Sequence, residues 1–167
     1  MSKEFLLYEN KFCSPEKLAS RVAELQRPLV FTNGCFDILH RGHVIYLSRA
    51  RALGASLVVA LNSDESVKRL GKGTDRPLNS LEDRMAVVAA LECVDLVTWF
   101  EEDTPLARII ESRPDVLVKG GDWALETIVG ATEVAGWGGQ THSIPFEVAR
   151  STTALVERIR NARACDK

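Results

Sequence analysis

Short, unbroken apolar runs alternate along the chain with longer segments whose apolar residues recur every three or four positions. Residues 29–33 (LVFTN), 56–62 (SLVVALN), 94–100 (VDLVTWF) and 115–120 (DVLVKG) are the apolar runs, and 140–146 (QTHSIPF) is a fifth, weaker one. Continuous rather than alternating apolar strands are those covered on both faces. Between them, 43–53 has helical spacing and is expected to stop at Gly54. Ser80 is placed to cap SLEDRMAVVAALE, with Glu82 and Asp83 in its first turn, where the helix dipole favours acids. Thr104-Pro105 is expected to cap PLARIIES, residues 123–138 to be helical in pieces, and Ser151 to open a last helix, STTALVERIRNAR. Before the first strand, Ser14-Pro15 reads as a helix start, the helix reaching about Gln26 and ending at Pro28. Strand and helix thus alternate, which predicts an α/β chain: one five-stranded parallel sheet flanked by helices on both faces. Residues 1–27 read as a helical segment preceding the sheet-bearing part, 28–167, the whole forming a single domain.

Composition narrows the classes. A net charge of −2 in 167 residues lacks the basic excess of a general nucleic-acid binder, so no nucleic-acid partner is expected. No run approaches the roughly 18 apolar residues of a membrane span, so no membrane partner is expected either. The apolar stretch near the N-terminus is short and broken by Glu9 and Lys11, unlike a signal peptide. Cys13, Cys35, Cys93 and Cys165 show no CxxC spacing, as expected of thiols in a reducing compartment, and a cytoplasmic location follows as the expectation. No metal-ligand cluster is evident.

Parallel sheets of this kind bind ligands beyond the carboxyl ends of their strands, where strand order reverses. The turns there carry the chemistry. The first runs Thr32-Asn33-Gly34-Cys35-Phe36-Asp37-Ile38-Leu39-His40-Arg41-Gly42-His43. Gly34 allows close backbone approach, and Gly42 leaves room for a bulky ligand beside two imidazoles three residues apart. Two imidazoles at a helix N-terminus suit a phosphate, because free N–H groups and the helix dipole both favour anions. After the second strand come Asn62 and Asp64, followed by a Gly/Pro loop with Lys72 and Arg76, which suits a mobile, phosphate-contacting lid. Arg84 could bind phosphate or pair with Glu82, Asp83 or Asp37. After the fourth strand, Lys119 is a cation at a buried strand end, costly without an anion. Gly120 and Gly121 let a base or ribose lie on the backbone, Asp122 could accept a ribose hydroxyl, and Trp123 could stack on a ligand or pack at the rim. Arg150, Ser151, Thr152 and Thr153 at the last helix start form either a plain cap or an anion nest.

TNGCFDILHRGH resembles the signature of the HxGH nucleotidyltransferase superfamily, in its cytidylyltransferase-like branch. That resemblance implies a Rossmann-like fold, with His40 and His43 contacting the nucleotide phosphates and stabilising the transition state at the α-phosphorus. It also implies that the STT motif (Ser151, Thr152, Thr153) binds the β- and γ-phosphates; Arg150 departs from the smaller residue often found before it. Over about Leu29 to Arg160, the segments FTNGCFDILHRGH, LNSDESVKRL, RPLNSLEDRM, ALECVD, FEEDTP, DVLVKGGDW and STT are similar to adenylyltransferases that form ADP-heptose. No sugar-kinase sequence accompanies them here, which matches the form of that activity found as a separate protein. The partners implied are ATP and a sugar 1-phosphate, with homodimerisation expected from the resemblance alone.

His40, His43 and Lys72 are therefore the candidate catalytic residues. Thr32, Asn33, Gly34, Cys35, Phe36, Gly42, Lys119, Gly120, Gly121, Asp122, Arg150, Ser151, Thr152 and Thr153 are the candidates for nucleotide contact. Asp37, Asn62, Asp64, Arg76 and Trp123 are the candidates for the second substrate. A phosphate monoester is mostly dianionic at neutral pH, with a second pKa near ~6, so the nucleophile needs little help from a base. Catalysis should rest on positioning and on cancelling charge, with Mg²⁺ held mainly through the ATP phosphates. A CTP-dependent cytidylyltransferase acting on a small phosphorylated alcohol, and a non-catalytic nucleotide-binding regulator, stay open as alternatives. A dehydrogenase is disfavoured because no GxGxxG follows the first strand.

Overall fold

The computed structural model describes residues 7–71, 76–145 and 159. Among them, five parallel strands form one sheet: β1 (Leu29–Gly34), β2 (Ser56–Asn62), β3 (Leu96–Phe100), β4 (Val116–Gly120) and β5 (Gln140–Ile144). Their order is β3-β2-β1-β4-β5. The chain winds outward from β1 in one direction through β3, then returns to the other side of β1 for β4 and β5. The reversal therefore lies between β1 and β4, where Thr32 stands opposite Val118.

Alternation along the strands divides the core in two. Val30, Leu57, Val59 and Leu61 pack with Tyr46, Leu47 and Ala50 of α2 (Arg41–Arg51) and with Met85, Val88 and Ala89 of α4 (Leu81–Ala89). Leu29, Phe31, Val58, Ala60 and Leu117 face the other way. There they meet Leu18 and Val22 of α1 (Leu18–Ala23), Ile109 of α5 (Leu106–Ser112) and Val134 of α6 (Ala131–Gly136). Helices thus cover both faces, as the apolar runs predict. A short helix, α3 (Asp64–Arg69), follows β2 directly, with Ser63 capping it through Ser66 N–H.

Several boundaries differ from the sequence reading, each for a local reason. β3 and β4 begin at Leu96 and Val116, because Asp95 and Asp115 before them turn aside to cap neighbouring strands. Asp95 accepts Leu57 N–H at 2.7 Å and Arg51 Nε at 3.0 Å. Asp115 accepts Leu29 N–H at 2.6 Å and Arg27 Nε at 2.9 Å. The N-terminal helix is a 3-10 turn at Pro15–Lys17 followed by α1, and it ends at Ala23 rather than Gln26; Ser14 precedes it without a side-chain cap bond. This segment is not peripheral: Cys13, Leu18 and Val22 are buried in the core, and Phe12 bridges to Val97. α5 takes Pro105, not Thr104, as its N-cap, with no side-chain cap bond. Gly54 lies past the end of α2, which Ala52 caps; a Cβ at Gly54 would stand 2.4 Å from the Pro28 carbonyl oxygen. Close approach, not helix termination, is what that glycine provides. The last helix, apart from Ile159, lies outside the described residues.

Candidate active site

The turn after β1 brings the two histidines to the start of α2. His40 is extended (φ −142°, ψ 170°) and caps the helix, its Nδ1 accepting Gly42 N–H at 3.1 Å. His43 reaches back, and its Nδ1 accepts His40 N–H at 3.4 Å. The rings stack with centroids 3.9 Å apart and planes 24° apart, and the Phe36 ring meets His43 edge-on at 5.4 Å. Because each Nδ1 accepts a backbone N–H, the neutral ring carries its proton on Nε2. Burial, reinforced by the neighbouring His40, pushes His43 down from 6.5 to about 4. His43 is therefore a neutral Nε2–H donor at pH 7. Phe36 adopts φ 48°, a left-handed conformation costly for a bulky residue. Its ring also closes over Gly34, where a Cβ would stand 2.9 Å from it.

This strained turn is gripped from behind by Arg84, a fully buried side chain on α4. Its Nη1 donates to the Cys35 carbonyl at 2.7 Å, its Nε to the Asn79 carbonyl at 3.1 Å, and its Nη2 to Asp64 at 2.7 Å. Arg84 takes none of the three partners proposed for it from sequence. The signal that could have placed it is the helical spacing of α4: Leu81, Arg84, Met85 and Val88 lie on one face, and the other three are apolar. A charged residue there is buried and must be paired.

Several sequence candidates are engaged with other side chains. Thr32 is wholly buried, its hydroxyl 2.6 Å from Tyr46 O–H, which also reaches the Val118 carbonyl at 3.4 Å; burial raises that phenol to about 12. Asp37 and Arg76, both proposed for the second substrate, pair with each other at 2.8 Å. Asp37 also accepts Leu78 and Asn79 N–H, both at 2.9 Å through Oδ1. The pair joins residues 76–79 to the first turn, with the Asp37 side chain 1% and the Arg76 side chain 11% exposed. Asp64 is held by Arg84. The Lys68–Glu65 and Arg69–Asp103 pairs account for the cations of α3.

On the opposite side of the sheet ends lies a cavity of about 370 Å³. Asn33, Gly34 and Cys35 form its β1 wall, Lys119 its β4 wall, and Asn62 and Phe100 the ends of β2 and β3. Leu70, Asp103, Thr104 and Pro105 close one end, and Trp123 with Thr127, Ile128 and Val129 the other. Lys119 Nζ donates to Asn33 Oδ1 at 3.3 Å, across the reversal point. Asn62 is fixed by Ser66 Oγ at 3.0 Å and the Cys35 thiol at 3.6 Å. Trp123 is 51% exposed, with Nε1 donating to the Gly120 carbonyl at 3.0 Å. Gly121 holds φ 113°, which lets the β4 turn double back beside β5, where its N–H meets the Ile144 carbonyl at 2.9 Å. Asp122 is exposed beside it. The structure thus brings Asn33, Gly34, Cys35, Asn62, Lys119 and Trp123 together in one cavity, with Phe36, His40, Gly42 and His43 beyond the β1 turn. Lys72, Arg150, Ser151, Thr152 and Thr153 lie outside the described residues.

A doubly wound parallel sheet with two stacked imidazoles opening the helix after its first strand defines the class: a nucleotidyltransferase of the HxGH kind. The cytidylyltransferase-like family profile matches residues 31–161, and the chain belongs to that family. It is 59% identical over 155 residues to the D-beta-D-heptose 1-phosphate adenylyltransferase of Bordetella bronchiseptica, a match covering 92% of this chain and 96% of that protein. It is 58% identical over 132 residues to the bifunctional protein HldE of Hahella chejuensis, covering 79% of this chain but 28% of the longer protein. Among solved structures, the lipopolysaccharide core biosynthesis protein of Thermoplasma volcanium matches with TM-score 0.59 and 27% identity, over 73% of this chain and 98% of that one. The pantothenate synthetase of Thermus thermophilus shares the fold alone, at TM-score 0.56 and 19% identity over 80% of this chain and 61% of that one.

Proposed function

We propose that this enzyme transfers AMP from ATP to D-glycero-β-D-manno-heptose 1-phosphate, forming ADP-heptose and pyrophosphate for lipopolysaccharide core synthesis. The observation that carries the chemistry is the stacked His40–His43 pair, both rings holding Nδ1 against backbone N–H groups at the start of α2. The substrate assignment is supported by the similarity to the Bordetella adenylyltransferase across nearly the whole of both chains.

In this reading the acceptor phosphate attacks the α-phosphorus, and the bond from that phosphorus to the bridging oxygen of pyrophosphate breaks. The difficulty is bringing anions together, so the protein contributes position and opposing charge. The Nε2–H groups of His40 and His43, set at the positive end of the α2 dipole, stabilise charge on the α-phosphate and the leaving group. Neutral His43 donates without needing to be protonated first. Among the described residues no three His, Cys, Asp or Glu side chains stand together as a metal cage. Magnesium, carried mainly on the triphosphate and its waters, would supply further charge neutralisation there. The same reading carries a cytoplasmic location, where ATP is at hand, and a homodimer as the expected assembly. No helix among the described residues is long and apolar enough to cross a membrane.

Purified protein with Mg²⁺, ATP and heptose 1-phosphate is expected to release pyrophosphate, with CTP and hexose 1-phosphates as poor replacements. His43→Ala should lower kcat by ~10²-fold or more with the fold intact, the scale of losing one transition-state donor. Equal turnover with CTP would overturn the nucleotide assignment, and unchanged turnover in folded His43→Ala would overturn the mechanism.

A further inference from the structure

The sheet separates the site into two chemically different halves. His43 and its edge-on partner Phe36 sit on the α2 and α4 side, since Phe36 packs in the core cluster with Tyr46 and Met85. Strand alternation puts Asn33, Asn62 and Lys119 on the other side, in phase with Phe31, Ala60 and Leu117, which pack toward α1, α5 and α6. The 370 Å³ cavity is on that second side, and neither His40 nor His43 lines it. Lys119 is the one cation among its described lining residues, and the rest are amide, hydroxyl, thiol and apolar groups with a single carboxylate, Asp103. Asp103 is already paired with Arg69 at 2.7 Å.

We infer that this cavity is the acceptor pocket and that Lys119, steadied by Asn33, binds the phosphate of the incoming sugar phosphate and not the nucleotide. The inference rests on the transferase reading above and assigns the half of the site that reading leaves open. Phosphoryl transfer puts the attacking and leaving oxygens roughly in line on opposite sides of phosphorus. If the leaving pyrophosphate is held at the histidine side, the nucleophile comes from the opposite side, where Lys119 stands. A cavity whose described lining holds one cation, a carboxylate already paired, and otherwise neutral polar and apolar groups suits one phosphate attached to a neutral, hydroxyl-bearing body. Among the described residues it suits a triphosphate less well, whose charge one ammonium does not offset. Lysine, as a compact point charge, binds phosphate without demanding one orientation, which leaves the acceptor oxygen free to advance.

Lys119→Met keeps the apolar stem and removes the charge. With ATP saturating, its KM for heptose 1-phosphate is expected to rise by about tenfold to a hundredfold, the range for losing a charge-assisted hydrogen bond. KM for ATP should stay within about twofold, as an independent contact requires. Lys119→Arg, which keeps the charge, should recover part of the acceptor affinity. Calorimetric titration of heptose 1-phosphate into ATP-free protein should show binding to the wild type and its loss in Lys119→Met. A raised KM for ATP with acceptor KM unchanged would overturn the assignment in favour of a nucleotide role, and so would no change in either. Should the wild type release no pyrophosphate with any pair, the transferase reading fails; the calorimetric comparison still decides whether Lys119 binds a sugar phosphate.

Discussion

Arg84 gives the sharpest test of how the strained β1 turn is held. Arg84→Met keeps the buried apolar stem and removes the guanidinium. Three contacts go: to the carbonyls of Cys35 and Asn79 and to the Asp64 carboxylate. The Asp64 side chain is 38% exposed and can rehydrate, so its lost ion pair counts for little. Asn79 is exposed, so its carbonyl can turn to water, whereas the Cys35 carbonyl lies on the half-buried turn, and a buried acceptor left unpaired costs about 1–3 kcal/mol. The expected loss is about 2 kcal/mol. For a domain of this length that is a fall in Tm of roughly 4–8 °C. Arg84→Lys supplies one point charge in place of a three-way fork and should recover only part of the loss. Thermal unfolding followed by circular dichroism reads the stability. Pyrophosphate release reads the site, where kcat should fall because Cys35 and the left-handed Phe36 lead directly into the histidine pair. Loss of under ~1 kcal/mol in Arg84→Met would refute the reasoning, since surface-like changes fall in that range.

Two further outcomes are expected. Imidazole resonances should show His43 titrating with a midpoint near 4, against an ordinary 6.5, and a midpoint near 6.5 would contradict its burial. The folded state therefore binds this proton more weakly than the unfolded chain. Above pH 6.5 both states hold His43 neutral; as pH falls from 6.5 toward 4 only the unfolded chain gains the proton, so stability declines across that window. Denaturant midpoints measured from pH 7 to pH 4 should fall less steeply in His43→Gln than in the wild type. Gly54→Ala drives a Cβ to within 2.4 Å of the Pro28 carbonyl and 2.7 Å of Val30 Cγ2, at the end of the sheet away from the site. It should cost about 1–3 kcal/mol in urea denaturation while leaving kcat unchanged, and a neutral substitution would show that this backbone contact can relax.

The strands were legible because a strand covered on both faces is apolar at every position, and β2 matches its expected span of 56–62. What blurred the other ends was the second job of a polar residue beside a strand. Asp95 and Asp115 read as parts of the strands at 94–100 and 115–120, yet their carboxylates bond across to β2 and β1. The same ambiguity governed the site. The histidine pair was legible because its spacing and its place after a buried strand restrict it to few uses. Asp37, Arg76 and Thr32 carry equally suitable chemistry at equally suitable places, but Arg76 reaches Asp37 from across a long loop and Thr32 meets a tyrosine on α2. Residue type and spacing do not tell whether a polar group faces another side chain or a ligand; that depends on which distant segment folds over it.

Lys119 shows how far alternation can carry the argument once register is known. Two residues apart on one strand means the same face, so Lys119 must lie with Leu117, and Asn33 with Phe31. Parallel pairing of β1 with β4 then sets them side by side at the reversal point, as their 3.3 Å contact bears out. His40 and His43 belong to a helix that packs on the opposite face. A transferase must hold two anions close together without letting them repel each other out of the site. The neutral imidazole donors thus lie on one side of the sheet's carboxyl end and the ammonium of Lys119 on the other, with the end of β1, where Arg84 holds the backbone, between them.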